Sequence, residues 1–174
     1  SHNEDLCDMC GRCLTACTHS ARSIVGSRMT ASEVVGVAVR DAPFYRRSGG
    51  GVTLGGGEPT TQPVFAAEVL ALLRLKGVDT AVETCGCTGA DAFLSVVEHA
   101  DHVLFDIKHA DSRRHAVLTG TGNETIVANL RSLVDRQADV TVRYPLIPGW
   151  NDAQSDLEAF LVLIRGLQRA LPIE

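Results

Sequence analysis

The sequence lacks the long apolar runs and the concentrated positive charge that mark membrane and nucleic-acid-binding proteins. No apolar run approaches the roughly 20 residues that a helix needs to cross a bilayer. The net charge of the 174 residues is −5, and the basic pairs of note are Arg46-Arg47 and Arg113-Arg114. Residues 1–5, Ser-His-Asn-Glu-Asp, do not resemble a signal peptide. We therefore expect a cytoplasmic protein with neither a membrane nor a nucleic acid as its partner.

Several common catalytic and nucleotide-binding motifs are also missing. The sequence contains no G-x-S-x-G, no Walker loop and no G-x-G-x-x-G of the Rossmann type. The six histidines include no pair at metal-ligand spacing, and His109 is expected to be a surface residue. Cys85 and Cys87 are interpreted as small residues near a site rather than as a metal pair. The informative residue types are the remaining cysteines and the glycines.

Four of the six cysteines lie within the first 17 residues, spaced C-x2-C-x2-C-x3-C. A disulfide knot is possible, but the spacing is tight and the rest of the chain resembles a cytosolic protein. Structural zinc prefers two C-x2-C pairs separated by a longer loop, and the second pair is missing. Bacterial ferredoxins bind iron–sulfur clusters with this spacing, and their fourth cysteine commonly serves another cluster. We predict an auxiliary [4Fe–4S] cluster on Cys7, Cys10, Cys13 and Cys17, and the number of clusters stays open.

The stretch from Gly49 to Pro59 combines dense glycine with a short strand pattern. Six of the nine residues from Gly49 to Gly57 are glycine, with Val-Thr-Leu between two triplets. Glycine costs backbone entropy, so such a cluster indicates positive φ angles or a backbone that another group approaches closely. A flexible linker is the alternative, although linkers usually carry serine rather than an embedded strand. We predict a strand that ends in a glycine turn carrying Glu58.

Strand and helix patterns alternate along the rest of the chain. Thr30-Ala-Ser-Glu33 is a capping box that predicts a helix to about Asp41. Strands are predicted at 52–54, 78–82, 102–108 and 140–144, each followed by a helix, and the helix after residue 88 is expected to be capped between Thr88 and Asp91. This alternation indicates βα units and a parallel sheet. About four units are too few for an eight-stranded barrel, so the α/β fold is either an open sheet or a partial barrel.

Polar residues end each predicted strand. They are Gly56, Gly57 and Glu58 after the first strand, Glu83 and Thr84 after the second, Asp106 and Lys108 on the third, and Arg143 on the fourth. Taken singly, Asp106 and Lys108 are compatible with an edge salt bridge, and Arg143 with a solvated strand residue. The carboxyl ends of parallel strands meet at one face, however, and unpartnered buried charge is costly. We therefore expect these side chains to converge on one ligand site.

The sequence resembles the activating enzymes of glycyl radical enzymes, in the radical S-adenosylmethionine (SAM) superfamily. The resemblance covers nearly the whole chain and rests on an ordered set of motifs: the ferredoxin-type cysteines, Ser48-Gly-Gly-Gly-Val-Thr-Leu54, Gly56-Gly-Glu-Pro59, Glu83-Thr-Cys-Gly86, Leu104-Phe-Asp-Ile-Lys-His109, Leu118-Thr-Gly120, Asn123-Glu124 and Arg143-Tyr-Pro-Leu-Ile-Pro-Gly-Trp-Asn-Asp152. It implies a partial parallel (β/α)6 TIM-type barrel, incomplete here. A ferredoxin-like iron–sulfur segment (1–28) would precede the barrel (29–174).

The resemblance also implies a set of cofactor contacts. The cofactor-binding residues would be Gly56, Gly57, Glu58, Pro59, Glu83, Thr84, Asp106, Lys108 and Arg143. The turn from Gly56 to Pro59 would receive the amino group of the methionine part of SAM, and Lys108 would lie near its carboxylate. Glu83 and Thr84 would help bind the cofactor and a monovalent cation, with Asp106 near that cation.

The implied reaction joins a cluster, SAM and a partner protein. In the family, a reduced [4Fe–4S] cluster passes one electron to SAM, which is cleaved to a 5′-deoxyadenosyl radical that abstracts a hydrogen atom from a glycine of the partner. The implied partners are a glycyl radical enzyme of the pyruvate formate-lyase family and a flavodoxin or ferredoxin as electron donor. Which glycyl radical enzyme is activated stays open.

The chain departs from the family at the catalytic cluster. That cluster requires C-x3-C-x2-C, and no cysteine triplet here has this spacing. We therefore expect its ligands in preceding sequence and no catalytic residue in this chain, which would be a fragment unable to cleave SAM by itself. The final barrel strand is also not evident after Glu174. One alternative is a ferredoxin-like electron-transfer protein with a non-catalytic barrel remnant. Another is a ribonucleotide reductase activase, against which the ferredoxin-like segment and the Ser48–Leu54 run argue.

Overall fold

The computed structural model describes residues 7–8, 10–23 and 25–174. Residues 1–6, Met9 and Ile24 lie outside the described residues. The prediction that residues 1–5 are not a signal peptide therefore concerns residues outside the described ranges. Residues 1–6 of the predicted iron–sulfur segment lie outside them as well. In the described part of that segment, the regular structure is one helical turn, α1 (Arg12–Thr15), which buries no residue.

Four parallel strands form one sheet in chain order. They are β1 (Gly51–Leu54), β2 (Asp79–Thr84), β3 (His102–Asp106) and β4 (Val140–Arg143). The helices that precede β1 are α2 (Ala31–Ala38) and α3 (Ala42–Ser48), and those between and after the strands are α4 (Pro63–Leu75), α5 (Ala90–Val97), α6 (Ser112–Thr119), α7 (Glu124–Asp135) and α8 (Gln154–Arg165). The parallel α/β fold predicted from the sequence is confirmed.

Local sequence signals explain most of the helix boundaries. At the start of α2, Thr30 and Glu33 form the predicted capping box, in which the Glu33 amide donates to Thr30 Oγ1 over 3.2 Å. Asp111 caps α6 by accepting from the Arg114 amide over 2.8 Å. Helix α5, in contrast, begins after Gly89 with no side-chain cap, so the predicted cap between Thr88 and Asp91 is wrong. Helix α3 was not predicted.

Alternation along the strands divides the sheet into two faces. One face is fully buried under the helices and carries an apolar core, with Val82, Val103, Phe105, Val140 and Val142 from the strands. The intervening residues of β2, β3 and β4 are only partly buried and point to the opposite, open face. Because side chains alternate strictly along a strand, each residue at a strand end belongs to one of these two faces.

The last described residues begin a fifth parallel strand beside β4. The amide of Val142 donates to the carbonyl of Pro172, and the amide of Glu174 donates to that of Val142, both over 2.9 Å. Ile173 pairs with Val142 as a parallel bridge. The sequence analysis did not predict this pairing, because three residues carry too little pattern to be recognised. The prediction about a final barrel strand concerned sequence after Glu174 and stays a prediction. No helix in the described ranges is long and apolar enough to cross a membrane.

Candidate functional site

An acidic and basic cluster lies on the open face at the carboxyl ends of the strands. Asp106 at the end of β3 is in register with Arg143 at the end of β4. The Arg143 guanidinium makes an ion pair of 2.7 Å with Glu83 Oε1 and lies 3.7 Å from Asp106 Oδ1. The bond to Glu83 is the main reason why the pKa of Arg143 is raised above its ordinary value. The structure thus brings together three of the predicted site residues.

Lys108 completes this cluster from the segment that follows β3. Its ammonium lies 2.6 Å from Asp106 Oδ2, so the salt bridge considered from the sequence is present. The other carboxylate oxygen, Asp106 Oδ1, is buried and accepts no hydrogen bond within the described part of the chain. A buried carboxylate oxygen without a donor is costly. Asp106 therefore offers one open acceptor at the carboxyl end of the sheet.

Glu58, at the turn after β1, is held by its own chain. Its Oε1 accepts from Thr60 N, Thr60 Oγ1 and Thr84 Oγ1 over 3.1, 2.7 and 2.7 Å. Its Oε2 accepts from the Cys85 amide over 2.9 Å and from the Cys85 thiol over 3.1 Å. The carboxylate therefore ties the turn after β1 to the end of β2, which fixes the spacing between two neighbouring strand ends.

Two effects oppose each other on the pKa of Glu58. Burial raises it, but the hydrogen bonds from Thr84, Cys85 and Thr60 together outweigh burial, and the pKa of Glu58 is lowered. The hydrogen bond from Cys85 that lowers the pKa of Glu58 also raises the pKa of Cys85. Burial first, and then the hydrogen bond to Glu58, raise the pKa of the Cys85 thiol to about 11. Cys85 is therefore a protonated donor at neutral pH and not a thiolate ligand.

Thr84 lies on the opposite face of β2 from Glu83. It is buried under the helices, where its hydroxyl donates to Glu58 and accepts from the Gly86 amide over 2.9 Å. Adjacent strand residues always face opposite ways, so the predicted Glu83–Thr84 pair is split between the two faces. The Thr84 side chain holds the turn and does not face the open site.

The glycine turn leaves its backbone open on the side of the cluster. Gly56 and Gly57 have φ angles of 71° and 61°, a region that favours glycine. A Cβ atom at either position would meet nothing within 4 Å, whereas one at Gly55 would lie 3.4 Å from Glu83 Oε2. Pro59 begins one turn of 3-10 helix, Pro59–Thr61, directly after these glycines and Glu58. The exposed backbone at Gly56 and Gly57 therefore has open space around it, directly after Gly55, which lies beside Glu83.

Three buried asparagines, to which the sequence analysis gave no role, fix the loops around this site. Asn129 of α7 donates to the carbonyls of Gly86 and Thr88 after β2, over 2.8 and 2.9 Å. Asn123 donates to the two carbonyls that follow Lys108 on the chain, over 2.9 and 2.8 Å. Asn151 donates to the carbonyls of Lys108 and Pro145, both over 2.9 Å. For Asn129 the available signal was an amide within the apolar run 126–130, because a buried amide needs partners. Asn123 and Asn151 lie in polar sequence that carries no such signal.

The loop after β4 is held by Arg114 and by the buried carboxylate of Asp156. Arg114 of α6 contacts Asp156 of α8 and donates to the carbonyl of Trp150 over 2.6 Å. His109 is 1% exposed, and its Nε2 lies 3.4 Å from Asp156 Oδ1. The expectation of a surface histidine is therefore wrong, since α8 covers the end of the β3 loop. These contacts leave the Trp150 side chain 51% exposed at the carboxyl end of the sheet.

The cysteine segment differs from this site because Cys7, Cys10 and Cys13 are exposed and Cys17 is half-buried. Cys10, Cys13 and Cys17 form no disulfide, which argues against the disulfide knot. In the described ranges, no three histidine, cysteine, aspartate or glutamate side chains are grouped to hold a metal ion. The Cys17 sulfur accepts from the Ala21 amide over 3.3 Å, and this bond, with another from His19, lowers its thiol pKa. Thiolate is the form that ligates iron, so the donor chemistry fits a cluster, which stays a prediction.

The residues around the open acceptor of Asp106 fit a zwitterionic ligand such as SAM. Lys108 offers a cation for a carboxylate, and Asp106 Oδ1 is a free acceptor for an ammonium or hydroxyl group. The open backbone at Gly56 and Gly57 allows close approach. These complementary groups occur within one strand-end cluster. The roles of the nine predicted cofactor-binding residues stay predictions at this point.

Residues 7–161 match the Radical SAM superfamily. The chain is 43% identical, over 86% of its length, to the choline trimethylamine-lyase activating enzyme of Oleidesulfovibrio alaskensis (strain ATCC BAA-1058 / DSM 17464 / G20). It is 41% identical, over 94% of its length, to the isethionate sulfite-lyase activating enzyme of the same organism. These matches cover 48% and 54% of the two relatives, so the chain spans about half their length.

The fold also matches that of a solved structure. A domain of the pyruvate-formate lyase-activating enzyme from Bacteroides vulgatus ATCC 8482 aligns with a TM-score of 0.65 and 29% sequence identity. The alignment covers 71% of this chain and 78% of that domain. The parallel sheet and its flanking helices are therefore those of a known structural class.

Proposed function

The chain belongs to the radical SAM superfamily, and from this membership we propose that it forms the SAM-binding part of an activating enzyme for a glycyl radical enzyme. The observation that carries the proposal is the strand-end cluster, in which Lys108, Asp106 and Arg143 lie at the same end of the sheet as the Gly56-Gly57 turn. The similarity to curated activating enzymes supports the proposal.

In the proposed complex, Lys108 binds the carboxylate of SAM with the donors that its bond to Asp106 leaves free. Asp106 Oδ1 accepts from an ammonium or hydroxyl group, and the peptide groups at Gly56 and Gly57 meet the methionine amino group. Glu58 holds that turn against β2 through its bonds to Thr84 and Cys85. When bound and reduced, SAM supplies the radical chemistry, and the protein binds, orients and shields it.

The partner would be a glycyl radical enzyme. The two relatives described above are named for activating a choline trimethylamine-lyase and an isethionate sulfite-lyase, so lyases of small polar substrates are the first partners to test. A flavodoxin or ferredoxin would supply the electron. Immobilised chain should bind its cognate lyase in preference to the others, and equal binding to an unrelated protein of similar charge would count against this partnership.

Cofactor binding tests the proposal directly. SAM binding to the chain should be measured by calorimetry for the wild type and for Lys108→Gln. Loss of a hydrogen bond between charged groups, about 1.5–3 kcal/mol, should weaken binding by about 10- to 100-fold. Lys76→Gln is the matched control, because Lys76 is the other lysine of the sequence and is exposed on the turn after α4.

The outcomes of this titration separate the proposal from its alternative. A wild-type chain that shows no SAM binding would contradict the proposal and favour an electron-transfer protein with a non-catalytic barrel. An equal loss of affinity in Lys76→Gln and Lys108→Gln would indicate a general charge effect and would contradict the assigned site. Unchanged affinity in Lys108→Gln would remove Lys108 from the site.

For the cysteine segment we propose an auxiliary [4Fe–4S] cluster on Cys7, Cys10, Cys13 and Cys17. Anaerobic reconstitution followed by iron and sulfide analysis should give about four iron atoms per chain for one such cluster. The triple variant Cys7→Ala, Cys10→Ala, Cys13→Ala should bind no cluster, whereas Cys87→Ala should retain it, because Cys87 is exposed and lies outside the run. Equal iron content in the triple variant and the wild type would disprove the assignment.

A further inference from the structure

Arg143 occupies a central position in the strand-end cluster. Its Nη1 pairs with Glu83 Oε1 over 2.7 Å, and its Nε lies 3.7 Å from Asp106 Oδ1 and 3.6 Å from Glu174 Oε2. The side chain starts from the last residue of β4 and extends over the open face toward β2. A single guanidinium thus contacts carboxylates from β2, β3 and the beginning of the fifth strand.

Two cations already lie among the carboxylates of this cluster. Glu83 and Asp106 contribute two negative charges, and Arg143 and Lys108 contribute two positive charges, each in contact with a carboxylate. Glu174, which is 71% exposed and lies 3.6 Å from Arg143 Nε, adds a third carboxylate at the rim. A metal cation that bound Glu83 Oε1 would have to displace Arg143 from it. Such a displacement would break the shortest contact that Arg143 makes in the cluster.

The oxygen ligands expected for a monovalent cation are also not grouped. Hard cations are held by several oxygen atoms at once. Glu83 Oε1 is taken by Arg143, and the Thr84 hydroxyl lies on the other face of β2, bonded to Glu58. In the described part of the chain, two side-chain oxygens of the predicted set of Glu83, Thr84 and Asp106 remain outside these contacts: Asp106 Oδ1, which is buried, and Glu83 Oε2. Both belong to carboxylates that Arg143 already contacts. The side chains present therefore do not fit a cation site.

We propose that the Arg143 guanidinium takes the place of the monovalent cation, so that the SAM site carries a built-in positive charge and does not depend on Na⁺ or K⁺. This inference rests on the proposed function, because the cation in question belongs to the SAM site. A guanidinium stays protonated throughout the physiological pH range. It makes one directed ion pair, to Glu83, and lies beside the carboxylates of Asp106 and Glu174.

The assignment leaves a defined role for Asp106. With Oδ2 bound to Lys108 and Oδ1 close to Arg143 but not hydrogen-bonded to it, Asp106 can accept a donor from the cofactor while both cations stay in place. Arg143 then acts as a positioning residue, which orients Asp106 and Glu83 through ion pairs and keeps their charges from repelling each other.

The test replaces one cation by another at constant ionic strength. The melting temperature of the chain and its SAM affinity should be measured in KCl, NaCl and tetramethylammonium chloride. For the wild type both quantities should be the same in the three salts. An ion present at about a hundred times its dissociation constant would raise the melting temperature of a domain of this size by roughly 5–10 °C, a shift that is easily resolved.

Variants of Arg143 provide the complementary measurement. Arg143→Gln removes the charge and leaves Glu83 and Asp106 without it, so its melting temperature should rise in K⁺ or Na⁺ relative to tetramethylammonium. Arg143→Lys keeps the charge and should stay independent of the salt. Arg165→Gln is the matched control, because it removes an exposed arginine from the end of α8 and should not introduce any dependence on the cation.

The possible results are distinct. Saturable stabilisation of the wild type by K⁺ or Na⁺, with or without SAM, would overturn the inference. So would an Arg143→Gln chain that is as indifferent to the cation as the wild type. If Arg143→Gln does not fold in tetramethylammonium, its recovery in K⁺ supports the inference and its failure in every salt overturns it. The salt series without SAM needs no cofactor binding, so its result is separate from any failure of the proposed function.

Discussion

The two ends of the same sheet carry polar clusters of opposite character. At the amino end, His102 at the start of β3 bridges Asp139 over 2.6 Å and Asp79 over 3.1 Å. The Asp101 carboxylate accepts there from both the amide and the hydroxyl of Thr80. At the carboxyl end, Asp106 keeps a buried oxygen without a donor. The polar groups at the amino end are hydrogen-bonded to one another, whereas the carboxyl end keeps a hydrogen-bond acceptor that a ligand could use.

The difference shows where an α/β sheet places function. The charged side chains of the amino-end bridge are 46–62% exposed, so solvent screens them and they contribute little to stability. Asp106 is 14% exposed, and its unfilled oxygen carries a cost that a ligand would remove. The buried Asp106 at the carboxyl end and the exposed His102 bridge at the amino end match the rule that ligands bind at the carboxyl ends of parallel strands.

The largest expected effect comes from Gly51 at the amino end. A Cβ atom added there would lie 1.9 Å from the carbonyl oxygen of Asp79, which belongs to the paired strand. Because backbone cannot move aside as a side chain does, Gly51→Ala should lower the free energy of unfolding by about 3 kcal/mol or more. Chemical denaturation measures this loss.

Gly36→Ala in α2 is the control for this substitution. A Cβ atom at Gly36 would meet nothing within 4 Å, and the residue lies inside a helix. Alanine should therefore stabilise the chain by about 0.5–1 kcal/mol. Similar destabilisation by the two substitutions would contradict the close approach at Gly51.

The next effect tests the carboxyl end through Glu58→Gln. The amide group of glutamine cannot accept all the donors that Glu58 accepts, and we expect a loss of about 2 kcal/mol together with weaker SAM binding. Since the pKa of folded Glu58 is lowered, the stability it contributes is present above its unfolded pKa and is lost as the pH falls through the folded pKa. The variant should therefore lose less stability on acidification than the wild type.

Glu98→Gln, an exposed glutamate at the end of α5, is the control for this comparison. Its unfolding free energy and its acid dependence should resemble those of the wild type. An unchanged acid dependence in Glu58→Gln would mean that Glu58 does not hold the strand ends as the structure shows.

Asp101→Asn is the counterpart of Glu58→Gln at the amino end. Its carboxylate accepts two hydrogen bonds from Thr80, over 3.0 and 2.8 Å, and its loss should cost about 1 kcal/mol. SAM affinity should not change, because the residue lies at the other end of the sheet. Weaker SAM binding in this variant, measured by the same calorimetry, would show that the two ends of the sheet are coupled. It would contradict the view that ligand binding depends on the carboxyl end alone.

The smallest effect is the pH dependence of the amino-end bridge. The hydrogen bond to Asp139, followed by that to Asp79, raises the pKa of His102 despite partial burial. The stability from this bridge is therefore fully present below the unfolded pKa of about 6.5 and is lost as the pH rises through the folded pKa. The contribution of this bridge to the free energy of unfolding should stay below about 1 kcal/mol, because the His102 side chain is half exposed. His102→Gln should remove this pH dependence from urea titrations, and a variant with the wild-type slope would contradict the bridge.

Periodicity and caps were sufficient to predict the architecture. The strand positions and the capping box at Thr30 follow from local sequence, because a strand pattern and a capping partner both lie within a few residues. The convergence of Glu83, Asp106 and Arg143 also follows, because parallel strands align their carboxyl ends. Strand alternation also contained the signal that Thr84 faces away from Glu83, and it was overlooked.

Contacts between distant residues could not be predicted in the same way. Glu58 bonds to Thr84 and Cys85 across the gap between two strands, and periodicity does not specify which side chains meet there. His109 became buried because α8, far along the chain, covers it. The cysteine spacing indicates chemistry but not a packed structure, since α1 buries no residue and the cluster itself would supply the order.

Trp150 gives the protein a built-in optical reporter. It is the single tryptophan of the sequence, half exposed on a loop whose backbone is fixed by Arg114 and Asn151. Its emission therefore reports the polarity at one place, beside the carboxyl ends of the strands. A shift of emission to shorter wavelength on addition of SAM or a partner protein would register docking at this loop without any label.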